Sequence, residues 1–271
     1  MAPKHKSAPF QNLLRPRAST SSSDPTPSSI RFYDEDARKD FSKNFSRWGV
    51  HSKRRVILVD FTDTDLPNVI HSRGWDSLCD VQVTCPSVLI QEFYSDMHGI
   101  DSSVPLFHTL VQGTRIVVTP QLVADMLHVP RVEHPDYLGY DCLRTMSKDE
   151  MISGFCEYAS NWGDRQFTPC KALAKGPILI NMVLTFVLHP LFHYNSITEP
   201  CAWFLLSLLE HLTIDFPSHF ILSFIDVYRD TATRDKIIFP SAITQILCHF
   251  FHSFSLFWPF FCHVYHRCHY R

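Results

Sequence analysis

Apolar side chains recur at helical spacing over most of this chain, and one stretch alone reads as paired strands. From Phe32 onward, Ala37, Phe41, Phe45 and Trp48 fall three or four residues apart, with Arg38, Lys39, Lys43 and Arg47 elsewhere, which predicts a short amphipathic helix. Val56-Ile57-Leu58-Val59 is a continuous apolar run ending at Asp60 and reads as a strand. Pro86 opens a helix whose stripe is Leu89, Phe93 and Met97, with Ile90 and Tyr94 beside it. Leu106 to Val111 and Arg115 to Val118 predict two strands turned at Gln112-Gly113. Thr119-Pro120 supplies an N-cap and a first helical residue for Leu122, Val123, Met126 and Leu127, and Val129-Pro130 ends that helix. Ser147-Lys148-Asp149-Glu150 fits a capping box.

The last third is more apolar still. Pro177 to Leu188 holds no charged residue and stops at Pro190. Glu199 to Leu212 is apolar on nearly every side, so it should be the central core helix. Pro217 starts another, with Phe220, Ile221, Phe224, Ile225 and Tyr228 on one face and His219, Ser223, Asp226 and Arg229 on the other, and Pro240 starts the last. The expected fold class is mainly α (α+β): a helical domain with one short β-hairpin near 106–118 and a disordered N-terminal leader. Residues 1–30 form that basic, Ser/Pro-rich leader, because they have nothing to bury against the entropy of ordering. The domain is expected to fill 31–245. Residues 246–271, rich in Phe, His and Cys, read as a tail outside the domain, with a composition that fits translated intron or frameshifted sequence.

Composition narrows the function classes. The chain has 271 residues, 45% hydrophobic and 19% charged, which excludes wholesale disorder and a highly charged coiled coil. Eight glycines against eighteen prolines argue against a Gly-rich phosphate cradle. The net charge of −2 announces no nucleic-acid binder, but it is unevenly placed: residues 1–60 carry +6 and the remainder −8. Arg38, Lys39, Lys43, Arg47, Lys53, Arg54 and Arg55 are therefore the candidate nucleic-acid contacts, non-specific and salt-sensitive in kind. Nine scattered cysteines with no Cys-x-x-Cys pair, and no apolar leader in Met1–Pro27, predict an intracellular, non-secreted protein with free thiols, its compartment left open.

The residues themselves offer no catalytic, cofactor or metal site to commit to. Asp60 could begin a metal-binding triad with Asp226 or Asp230, as a two-metal nuclease requires. The polar stretch Thr62 to Asn68, with Pro67, interrupts the strands such a fold needs, so Asp60, Asp63 and Asp65 read as loop and cap residues. Cys248-x3-His252 and Cys262-x3-His266, with His263, Cys268 and His269 nearby, have ligand types but no zinc-knuckle spacing. No Gly-x-Ser-x-Gly elbow is present. Ile237 to His266 lacks Asp, Glu, Lys and Arg, yet prolines and histidines interrupt it, so membrane insertion of the 246–265 tail is not favoured.

Several segments carry a resemblance. They are Arg73-Gly74-Trp75, Glu92-Phe93-Tyr94, Val111-Gln112-Gly113-Thr114-Arg115-Ile116-Val117-Val118-Thr119-Pro120, Tyr194-Asn195-Ser196-Ile197-Thr198-Glu199-Pro200, Phe216-Pro217-Ser218-His219-Phe220-Ile221 and Ile238-Phe239-Pro240-Ser241-Ala242-Ile243-Thr244. Collinear over about 54–245, they resemble the family described as "putative plant transposon protein". The resemblance implies an origin in a mobile element of retroelement-like kind and supplies no catalytic site. The expected function is thus a non-catalytic, Gag-like structural or interaction domain or a relic, self-associating or binding proteins through apolar helix faces such as Phe220–Tyr228. A divergent transposase or nuclease, and a nucleic-acid-binding module using the leader, are the alternatives.

Overall fold

The computed structural model describes residues 31–50, 55–80, 86–101, 104–137, 146–156, 162, 167–169, 173–188, 196–230 and 236–251. The leader 1–30, Lys53, Arg54 and the tail beyond 251 lie outside them. Helix α1 (Glu35–Lys43) starts where Asp34 accepts the Ala37 N–H at 2.8 Å, with Glu35 and Asp36 in its first turn and Lys43 in its last, the charge order that suits the helix dipole. A 3-10 turn over Phe45–Arg47 then carries Phe45 and Trp48 into the core. Strand β1 (Gly49–Val50) follows.

The apolar run after Arg55 is not a strand. Leu58–Phe61 forms a 3-10 turn, in which Asp60 N–H donates to the Ile57 carbonyl at 3.0 Å. A strand needs a neighbouring strand to satisfy its backbone; here the Val56 N–H donates to the Cys79 carbonyl at 2.9 Å and the turn supplies its own bond at Asp60. The run consequently keeps Ile57 and Val59 outside, 46% and 71% exposed.

After α2 (Leu66–His71) comes α3 (Ser87–Ser95), and then the expected hairpin, joined by a third strand that the sequence reading lacked. Strands β2 (His98–Asp101), β3 (Leu106–Val111) and β4 (Thr114–Val118) form an antiparallel sheet in that order. Positive φ at Gln112 (+50°) and Gly113 (+78°) makes the two-residue turn that matches strand twist. Phe107, Thr109, Val111, Ile116 and Val118 face inward, and Thr109 Oγ1 donates to the Phe93 carbonyl at 2.8 Å, fixing the sheet on α3. The Met97 expected on the α3 stripe is buried, two residues beyond the helix end.

Helix α4 (Pro120–Leu127) begins as its sequence predicts, with Thr119 Oγ1 accepting the Leu122 N–H at 3.2 Å. Helix α5 (Lys148–Ser153) has the full Ser147/Glu150 capping box. Strand β5 (Phe167–Pro169) pairs antiparallel with β6 (Ser196–Thr198). Between them, α6 (Lys175–Val183) passes into a π-helical turn over Leu184–Leu188.

Helix α7 (Glu199–Leu209) is buried continuously from Cys201 to Leu208, the central core helix its all-round apolarity demands. Helix α8 (Phe216–Arg229) runs beside the hairpin and α4. Its Phe220 and Phe224 join Phe93, Phe107 and Phe239 in an aromatic cluster with ring centroids 4.2–5.8 Å apart. The polar face expected for α8 is narrower than its sequence suggests: Asp226 and Arg229 are exposed, but Ser223 is buried and His219 stacks on Phe204 at 4.3 Å. The face Phe220–Tyr228 is core, with Tyr228 half-buried at its end.

Strand β7 (Lys236–Ile237) pairs parallel with β1. Helix α9 (Pro240–Phe251) buries Ile243, Ile246 and Leu247, so the boundary at 245 falls inside a packed helix. Among the described residues no helix is long and apolar enough to cross a membrane.

Candidate functional site

The segments that carry the family resemblance work as internal latches. Arg73 donates to the carbonyls of Val69 (3.1 Å), Leu208 (3.3 Å) and Leu212 (3.3 Å), and its guanidinium lies 5.6 Å from the Trp75 ring centroid. It thereby caps the carboxyl end of α7, whose last carbonyls have no helical donors. Gly74, at φ +65°, lets the chain turn between that arginine and the buried Trp75. Glu92 is fully buried: one oxygen accepts the Gln112 N–H at 2.8 Å, the other the Gln112 side-chain amide at 2.7 Å. Tyr94 O–H donates to the Ile238 carbonyl at 3.2 Å, tying α3 to the start of α9. At the head of α8, Asp215 takes a two-pronged contact from Arg131 (3.0 and 2.9 Å) and a 2.5 Å bond from Ser218.

The carboxylates named as triad candidates lie apart from this machinery. Asp60, Asp63 and Asp65 are exposed, on or after the 3-10 turn. Asp226 is exposed on α8, and Asp230 follows its end. Among the described residues no group of three His, Cys, Asp or Glu could hold a metal ion. Of the cysteine–histidine candidates, Cys248 lies half-buried on α9, and His252, Cys262, His263, His266, Cys268 and His269 fall outside the described residues.

The basic candidates are on the surface. Arg38 and Lys39 reach Glu35 (2.5 Å) and Asp36 (3.1 Å) on their own helix, which draws those carboxylates and guanidinium into local pairs. The Arg38 bond holds the Glu35 carboxyl below its ordinary value. Lys43 and Arg47 are exposed one turn further on, and Arg55 lies 3.7 Å from Asp80.

Sequence reasoning missed a cleft of about 230 Å³ between the first turns of α1, the α3–β2 junction and the end of α8. Its floor is Asp96, only 1% exposed. Asp96 Oδ1 accepts the Tyr33 N–H at 2.7 Å, and Oδ2 is buried with no hydrogen-bond partner. Burial pushes this carboxyl up to about 7; the Tyr33 N–H opposes the shift, and the charges of Glu92 and Asp34 reinforce it. Tyr33 stacks on His98 at 3.8 Å, and His98 Nδ1 lies 2.7 Å from the Asp96 carbonyl oxygen. Asp34, Asp36 and Asp40 line the α1 side, where Asp40 is also raised, by burial first and then by Asp36. Tyr228 closes the far side, its phenol raised by burial and by Asp40, Asp34 and Asp96. No periodicity announces this site, because its walls come from three elements distant in sequence.

Among the described residues, a helical core with one three-stranded antiparallel sheet and two short strand pairs, latched by buried side-chain bonds, defines a mainly α, α+β domain. The chain belongs to the putative plant retrotransposon-related domain family, whose model matches residues 71–250, more than half of its length. Its origin is therefore a transposable element. No curated protein and no solved structure matches it.

Proposed function

We propose that the chain is a non-catalytic structural or interaction domain of the Gag-like kind, acting by association with further copies of itself. The observation that carries this reading is the turn at 56–61. It presents Ile57 and Val59 to solvent beside the half-buried Val56, Leu58 and Phe61. Contiguous apolar surface of this sort marks interaction sites, and covering each outward side chain would contribute roughly 1–2 kcal/mol. With the Phe220–Tyr228 face committed to the core, this turn replaces it as the contact surface.

Sedimentation velocity of the full chain across a wide concentration range tests the reading. The expected result is a concentration-dependent oligomer that the double variant I57D/V59D reduces to monomer. A monomer at every concentration, or an oligomer indifferent to the variant, contradicts it. The nucleic-acid alternative draws its support from the exposed Lys43 and Arg47, and predicts weak binding that falls steeply with salt.

A further inference from the structure

The Asp96 cleft is independent of the self-association surface, and its chemistry is specific. Two features distinguish it from an ordinary acidic patch. The first is shape, a half-open cleft of about 230 Å³ with Tyr33 and Tyr228 among its lining residues. The second is Asp96 itself, which lines the cleft with one carboxylate oxygen desolvated and without a donor. A buried carboxylate oxygen without a donor is costly, and a bound donor relieves that cost.

The other carboxylates differ in how far they are already engaged. Asp34 caps α1 through the Ala37 N–H, and Asp36 pairs with Lys39. Asp40 has the nearby Lys43, but burial and Asp36 outweigh it. The least satisfied acids are thus Asp96 on the floor and Asp40 on the wall. They stand on different elements around a cleft, and no group of three among the described residues converges as a metal ion requires. A ligand that meets both must be an extended cation with several donors, and one that also lies against aromatic rings. A planar guanidinium has that combination: five N–H donors in a fork, a fixed charge and faces that stack on rings.

We propose that this cleft is a binding site for an arginine side chain, with Asp96 and Asp40 as its charge partners and Tyr33 and Tyr228 as its ring walls. The arginine comes from another polypeptide or from this chain's own leader. Arg15 and Arg17 precede Tyr33 by fewer than twenty residues in the chain.

The test is a titration of the full chain with N-acetylarginine amide, followed by NMR at the Tyr33 and His98 signals, with N-acetylcitrulline amide as the uncharged isostere. Saturable shifts are expected for the arginine probe, with citrulline at least about tenfold weaker, the discrimination of one charge-assisted contact. D96N and D40N should each weaken the arginine probe several-fold. D40N alters a partly exposed wall residue, so the question stays answerable if D96N does not fold. Tighter probe binding in R15Q/R17Q identifies the leader as the resident arginine donor; unchanged affinity assigns the site to an arginine in trans. Absence of saturable shifts in R15Q/R17Q, an equal response to citrulline, or full binding by a folded D40N overturns the proposal. None of these outcomes depends on whether the chain self-associates.

Discussion

Glu92 and Asp96 stand one turn apart at the end of α3, both almost wholly out of solvent and both with carboxyls raised chiefly by burial. They differ in what meets the second oxygen. Glu92 has a Gln112 donor on each side, and these bonds hold the hairpin turn against the helix. Asp96 has the Tyr33 N–H on one side and a buried oxygen with no partner on the other, in a residue that lines the cleft. Equal burial therefore has opposite meanings four residues apart. Complete satisfaction marks a structural latch, whereas partial satisfaction at a cavity marks a place for a ligand.

Substitutions along this contrast should rank by how much buried bonding they remove. Glu92→Ala is expected to cost the most, about 3 kcal/mol, since both bonds that tie the hairpin turn to the buried end of α3 vanish and a cavity replaces the carboxyl. Urea unfolding would read this as a lower midpoint at unchanged slope, and an unmoved midpoint would demote Glu92 from latch to bystander. Arg131→Met should follow at about 2 kcal/mol, because it leaves Asp215 buried with bonds from Ser218 and the Val132 N–H but no cation. The same denaturation experiment checks it. Thr119→Ala should cost about 1 kcal/mol, the value of one helix N-cap, seen as a modest fall in thermal midpoint.

Asp96→Asn has the smallest expected effect at neutral pH and the opposite sign. The Asp96 carboxyl is raised from 3.8 to about 7, so in that window the native state binds a proton that the unfolded chain does not. Its contribution is thus fully present below about pH 4 and is lost as pH rises through about 7. Burial sets this first; the Tyr33 N–H lowers the carboxyl, and the charges of Glu92 and Asp34 raise it further. Stability of the natural chain should fall between pH 5 and pH 8 more steeply than that of D96N. Parallel pH profiles for the two would remove Asp96 as a strained acid.

Much of this fold is legible from residue patterns, and the reasons are local. Thr119-Pro120, Ser147 to Glu150 and the apolar Glu199–Leu209 each determine an element through caps or burial that neighbours in sequence supply. Val56 to Val59 misleads because an apolar run fixes a strand only when another strand lies beside it, and 3-10 bonds satisfy the backbone first. Strand β2 is hidden for a related reason. His98-Gly99-Ile100-Asp101 is short, and it is held by pairing with β3 through a register shift between His98 and Asp101, where Gly99 has φ +59°. The cleft was beyond reach altogether: Tyr33, Asp40, Asp96 and Tyr228 meet only through the packing of α1, α3 and α8. Conversely, the motifs that looked most like a signature, Arg73-Gly74-Trp75 and Glu92-Phe93-Tyr94, are occupied in holding the core together.

The most direct measurement is a carboxyl-carbon NMR titration of Asp96 in the full chain, free and then saturated with N-acetylarginine amide. A midpoint near 7 in the free chain, falling when the guanidinium binds, is the result expected of a desolvated acid awaiting a cation. A midpoint at the ordinary aspartate value of 3.8, unmoved by the probe, would contradict it.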